Sequence, residues 1–184
     1  HSFAEPHRVT VTHIALDLAL DFEAPRVKGR ATLRFDRHDD GAALVLDTQA
    51  LDIESVQTVD GSPREWSLGE AEGRLGRPLV IQLEAGDREV AVRYATTADG
   101  EALQFLEPEM TGGQHPYLFT QGQAVLTRSW IPCQDTPGVR VTYDAAIVAP
   151  NPLTVLMSAD ERHGRRDLVT NDGVDSTRSL WRFE

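Results

Sequence analysis

Cysteine is almost absent from this 184-residue sequence: Cys133 stands alone. One thiol forms neither an intramolecular disulfide nor a thiolate zinc cluster, and it leaves the redox compartment open. Basic residues are scarce too, 18 against 29 acidic ones, for a formal net charge of -11. That balance repels phosphate backbones and anionic lipid headgroups. No apolar run approaches the ~20 residues that a membrane helix needs. Nucleic acid and membrane are therefore not among the expected partners, and the compartment, cytoplasmic or periplasmic or secreted, stays unassigned. Long amphipathic helices are missing as well, since no window of about ten residues keeps a 3.6-residue period. The sequence opens on His1 rather than methionine, as a trimmed or processed chain does.

Catalytic signatures are also lacking. There is no H-E-x-x-H, no G-x-S-x-G, no phosphate-binding G-x-x-x-x-G-K and no G-x-G-x-x-G. The histidines, His1, His7, His13, His38, His115 and His163, fall at no spacing that presents two to one metal from a single element. Glu107 and Glu109 flank Pro108, the commonplace arrangement of a solvated loop rather than a glycosidase pair across a cleft. Ser129, Cys133 and Asp135 lack a nearby base, so Cys133 reads as a small buried hydrophobe.

What is present is strand. Ile14, Leu16, Leu18, Leu20 and Phe22 alternate with smaller or polar residues, and after Glu23-Ala24-Pro25 the pattern resumes with Val27, Gly29, Ala31, Leu33 and Phe35 inward. A period of two on both sides of a turn predicts a hairpin. Further strands are expected at Ala43–Asp47, Leu51–Val59, Leu79–Glu84, Glu89–Ala95, Tyr117–Leu126, Val139–Val148, Thr154–Ser158 and Ser179–Glu184, with turns between them, one at Asn171-Asp172-Gly173. Ala159–Thr177 reads as an exposed loop. The expectation is one all-β domain over residues 1–184, an antiparallel saddle-like β-sandwich with little helix.

One region departs from the average composition. From Met110 to Pro137 only Arg128 and Asp135 carry charge, while Tyr117, Phe119 and Trp130 sit among Gln114, Gln121, Gln123 and Gln134. Aromatics and neutral amides without charge describe a surface that faces a partner or ligand. A sheet strand whose glutamines point to solvent produces the same string.

The same region resembles the gluzincin aminopeptidases of the aminopeptidase N family, in the branch close to leukotriene hydrolase. The likeness is carried by His115-Pro116-Tyr117-Leu118-Phe119-Thr120-Gln121-Gly122-Gln123-Ala124, Arg128, Ile131-Pro132-Cys133-Gln134-Asp135-Thr136-Pro137, Val139, Thr142-Tyr143 and Met157-Ser158-Ala159. It reaches weakly over nearly the whole chain. It implies the family's N-terminal β domain, which packs against a separate thermolysin-like catalytic domain that holds the zinc. By this resemblance Gln121 and Gln123 are the substrate-binding residues, projecting into the cleft toward the amino terminus of a peptide. Many relatives carry Glu at the second position, where this branch has Gln. No catalytic residue and no zinc ligand are expected among these residues, the zinc belonging to the full-length enzyme. The resemblance also implies one more strand after Glu184 and thus an unpaired flank on the last strand. Two other readings stand beside it: a free-standing β-sandwich module that binds carbohydrate or protein, and a packing domain whose glutamines touch no ligand.

Overall fold

The computed structural model describes residues 1–170 and 173–184. Strands β1 (Val9–Asp21) and β2 (Arg26–Arg37) form the expected hairpin, with Leu16 opposite Ala31 and Leu18 opposite Gly29. A β-carbon on Gly29 would lie 2.6 Å from Leu18 Cδ2, so glycine lets the two strands and Tyr94 close on one another. β1 begins earlier than its main period suggests. Val9 and Val11 are buried in one phase, Ile14, Leu16 and Leu18 in the other, and an irregularity between Val11 and His13 joins them. An extra residue in a strand flips the inward set, which hides the first turn of the pattern from a simple alternation count.

The other strands are β3 (Leu44–Thr48), β4 (Leu51–Gln57), β5 (Trp66–Leu68), β6 (Arg77–Ile81), β7 (Glu89–Thr96), β8 (Leu103–Leu106), β9 (Tyr117–Thr120), β10 (Thr142–Pro150), β11 (Arg166–Thr170) and β12 (Gly173–Phe183). A seven-stranded sheet runs β11-β12-β10-β1-β2-β7-β4, a three-stranded sheet β3-β6-β5, and β8 pairs with β9. Among the described residues the strand pairing is antiparallel except between β1 and β10, which are parallel. Leu44, Leu46, Leu79 and Ile81 of the smaller sheet join Ala31, Leu33, Val90 and Val92 of the larger one in a single core. The result is an all-β, sandwich-like domain, with helix among the described residues limited to short 3-10 turns at Gly73–Leu75, Pro108–Met110 and Thr127–Ser129. No helix among them is long and apolar enough to cross a membrane.

Several sequence expectations need correction. Thr154–Ser158 has Val155 buried and Leu156 exposed, but it forms no strand and ends in a bend at Ser158. Alternation records which side faces the core, not whether a neighbour strand exists. The expected loop over 159–177 instead contains β11 and the start of β12. β11 has no buried residue, so neither face left a hydrophobic signature. Asn171 and Asp172 of the expected turn lie outside the described residues. The last strand is not unpaired: β10 flanks one side of β12, β11 the other, and near its end Glu161 bridges Phe183.

Candidate functional site

The charge-poor run divides in two. Met110, Tyr117 and Phe119 are exposed at 70%, 53% and 41%, whereas Arg128, Ser129, Ile131, Cys133 and Gln134 are buried. Gln134 is not a surface amide at all. Its Oε1 accepts from the Val11 N–H at 2.9 Å and its Nε2 donates to the Val9 carbonyl at 2.8 Å, completing the side of β1 away from β2 where the pairing with β10 has not yet begun. Burial, aided by the negative charges of Asp135 and Asp47, pushes the Cys133 thiol well above its ordinary range. A protonated, enclosed thiol is no nucleophile.

Gln121 and Gln123 are both exposed, on the turn that follows β9. The expected strand Tyr117–Leu126 stops at Thr120 because the chain folds back: the Leu126 N–H donates to the Gly122 carbonyl at 2.9 Å. A β-carbon at Gly122 would sit 2.5 Å from Thr127 Oγ1, so any larger residue would force the Thr127 side chain to shift. The two amides divide the work. Gln121 Oε1 accepts the Gln123 N–H at 3.1 Å and so shapes the turn, whereas the Gln123 side chain makes no hydrogen bond among the described residues. Beside the turn, Thr120, Tyr117, Leu118 and Trp130 help line an apolar cavity of about 160 Å³ against Leu18 and Ile147 of the large sheet.

Beneath the turn lies a charge cluster that the sequence did not single out as part of the site. Arg128 and Asp47 are both fully buried. The Arg128 Nε donates to Asp135 Oδ2 at 3.2 Å, Nη1 to the Leu75 carbonyl at 3.1 Å, and Nη2 to the carbonyls of His1 and Asp135, both at 2.9 Å. Nη1 also lies 3.5 Å from Asp47 Oδ1. Asp47 in turn accepts from Ser2 Oγ and the Phe3 N–H at 2.7 Å and from the Asp135 N–H at 2.9 Å. Every charge here has hydrogen-bonding partners, the condition on which a buried ion pair persists. A signal was available: two lone, opposite charges in an otherwise neutral run are the pattern of a buried pair.

The site holds amide donors and acceptors, backbone groups and aromatic surface. Such groups can donate hydrogen bonds to, and accept them from, a polar ligand. Among the described residues no three His, Cys, Asp or Glu side chains stand together as a metal's ligand set.

Known proteins place this architecture. The leukotriene A-4 hydrolase of Xenopus laevis is 38% identical over 100% of this chain and 30% of its own length. Leucine aminopeptidase 2 of Aspergillus fumigatus is 37% identical over 94% of the chain and 28% of its own. The chain thus spans less than a third of the length of these curated relatives. Among solved structures, yeast LTA4 hydrolase in complex with bestatin superposes with a TM-score of 0.83 at 30% identity, covering 100% of this chain and 27% of that one. An M1 zinc metallopeptidase of Deinococcus radiodurans shares the fold, with a TM-score of 0.67 at 17% identity over 98% of this chain and 39% of its own. Residues 10–174 match the Peptidase M1 N-terminal domain, and the chain belongs to that family.

Proposed function

We propose that this chain is the substrate-cleft portion of a zinc aminopeptidase, with Gln121 and Gln123 presented to the amino terminus of a bound peptide. The observation that carries the reading is the turn itself. It is exposed and shaped by its own glutamine, and it leaves the Gln123 amide unengaged among the described residues. An amide oxygen is a suitable acceptor for a peptide ammonium, because it takes a charge-assisted hydrogen bond without the desolvation cost of a carboxylate.

The relatives extend far beyond the matched region, which favours a part of a larger enzyme over a free-standing carbohydrate or protein module. In this reading the chain's partners are its own catalytic domain and the peptide substrate. Zinc and the general base come from residues outside this chain, and this chain supplies orientation alone.

The test is kinetic, in the full-length protein. A hydrogen bond from a charged donor contributes about 1.5–3 kcal/mol, so Gln123→Ala lowers kcat/KM for a peptide substrate about 10- to 100-fold. A value within about twofold of the parent at equal zinc content would show that the residue is structural.

A further inference from the structure

The Gln121–Gln123 turn is exposed and rests on a small two-stranded sheet, so its side chains gain little rigidity from packing. A binding group nevertheless has to be held to within about 0.5 Å to be useful. The turn is held through its backbone. The Gln121 N–H donates to the Ala102 carbonyl at 2.8 Å, and the Ala102 N–H donates to Ser129 Oγ at 2.9 Å. Ser129 Oγ donates to the Leu126 carbonyl at 2.8 Å, and the Leu126 N–H closes on Gly122. These bonds converge on Ser129, the neighbour of Arg128.

Arg128 is itself fixed from outside this region. One of its acceptors is the His1 carbonyl, and the Asp47 carboxylate facing it is saturated by Ser2 and Phe3 as well as by Asp135. The segment His1–Phe3, far away in sequence, therefore closes the cluster under the glutamine turn. We infer that His1–Phe3, together with Asp47, Arg128 and Asp135, is the positioning device of the Gln121–Gln123 turn, setting substrate affinity without touching substrate. The inference rests on the proposed role of Gln123.

The test is a double-mutant cycle in the full-length, zinc-loaded protein, with a free-amine aminoacyl anilide as the substrate. Asp47→Asn keeps the shape but removes the charge opposite Arg128, and it raises KM about tenfold while kcat stays within about twofold. Ser2→Ala deletes one donor from a half-buried position, leaves the fold intact, and raises KM about threefold; it carries the test if Asp47→Asn does not fold. In a Gln123→Ala background, each change alters KM less than about twofold, because the group being positioned is gone. A merely structural cluster lowers the melting temperature but leaves KM alone, or shifts KM equally in both backgrounds, and either result overturns the inference. If Gln123→Ala alone is silent, the cleft reading fails and this inference falls with it. If Gln123→Ala is costly but uncoupled to Asp47 and Ser2, only the positioning role is wrong.

Discussion

Replacing Arg128 with methionine tests the buried cluster energetically. The side chain is fully buried, and it donates four hydrogen bonds besides facing Asp47. Methionine fills much of the same volume, so the loss is mainly that of charge and hydrogen bonds. Removing one partner of a buried pair costs about 3–5 kcal/mol because the other charge is left uncompensated. Here the lower end applies, since Asp47 keeps the Ser2, Phe3 and Asp135 donors. With a urea dependence of about 2 kcal/mol per molar, a loss of about 3 kcal/mol moves the midpoint down by about 1.5 M. Tryptophan fluorescence reports the transition, Trp130 being two residues from the substitution. Adding Asp47→Asn to Arg128→Met removes one of the two carboxylates left without their cation and recovers about 1 kcal/mol. An Arg128→Met cost under about 1 kcal/mol, or a double variant that is additive, would refute the argument that these charges stabilise one another.

Two further predictions concern groups elsewhere in the fold. The Arg64 guanidinium, bonded to both oxygens of Asp87 at 2.8 Å, holds that carboxyl below the usual carboxylate range. The unfolded chain therefore takes up the proton first as acid is added, and the pair's contribution is present above about pH 4 and lost progressively below it. Asp87→Asn flattens this acid limb of the stability profile, and an unchanged limb in the variant would contradict the assignment. The Tyr94 hydroxyl is buried with no partner among the described residues. Tyr94→Phe consequently leaves stability unchanged or raises it by up to about 1 kcal/mol, and a loss larger than that in urea denaturation would reveal a bond the structure does not contain.

The hairpin of β1 and β2 was legible because its inward residues keep one phase over most of its length and a turn sequence separates the halves. The break at Val11/His13 shortened the strand that alternation alone suggests. Thr154–Ser158 looked like a strand because its residues alternate and the segment does face the core through Val155, yet ladder pairing depends on a neighbour that no local pattern encodes. β11 went unseen for the opposite reason, being paired along its backbone but exposed on both faces. The parallel pairing of β1 with β10 joins segments more than a hundred residues apart and has no local signature.

At the site, the expected strand Tyr117–Leu126 would have carried both glutamines, but it ends at Thr120 and they lie exposed on the turn that follows. Composition alone grouped Gln134 with them, although that amide completes the backbone of β1. The cluster of Asp47 and Ser2 was out of reach, since Asp47 meets Arg128 and Asp135, and Ser2 meets Asp47, only through tertiary folding.

The central claim is that Gln123 recognises a free amino group. The most direct measurement compares inhibition of the full-length enzyme by a free-amine dipeptide and by its des-amino analogue, in the parent and in Gln123→Ala. The account predicts that the parent prefers the amine and that Gln123→Ala loses about 10- to 100-fold of that preference while its affinity for the des-amino analogue is unchanged. A Gln123→Ala enzyme that keeps the full preference would contradict it.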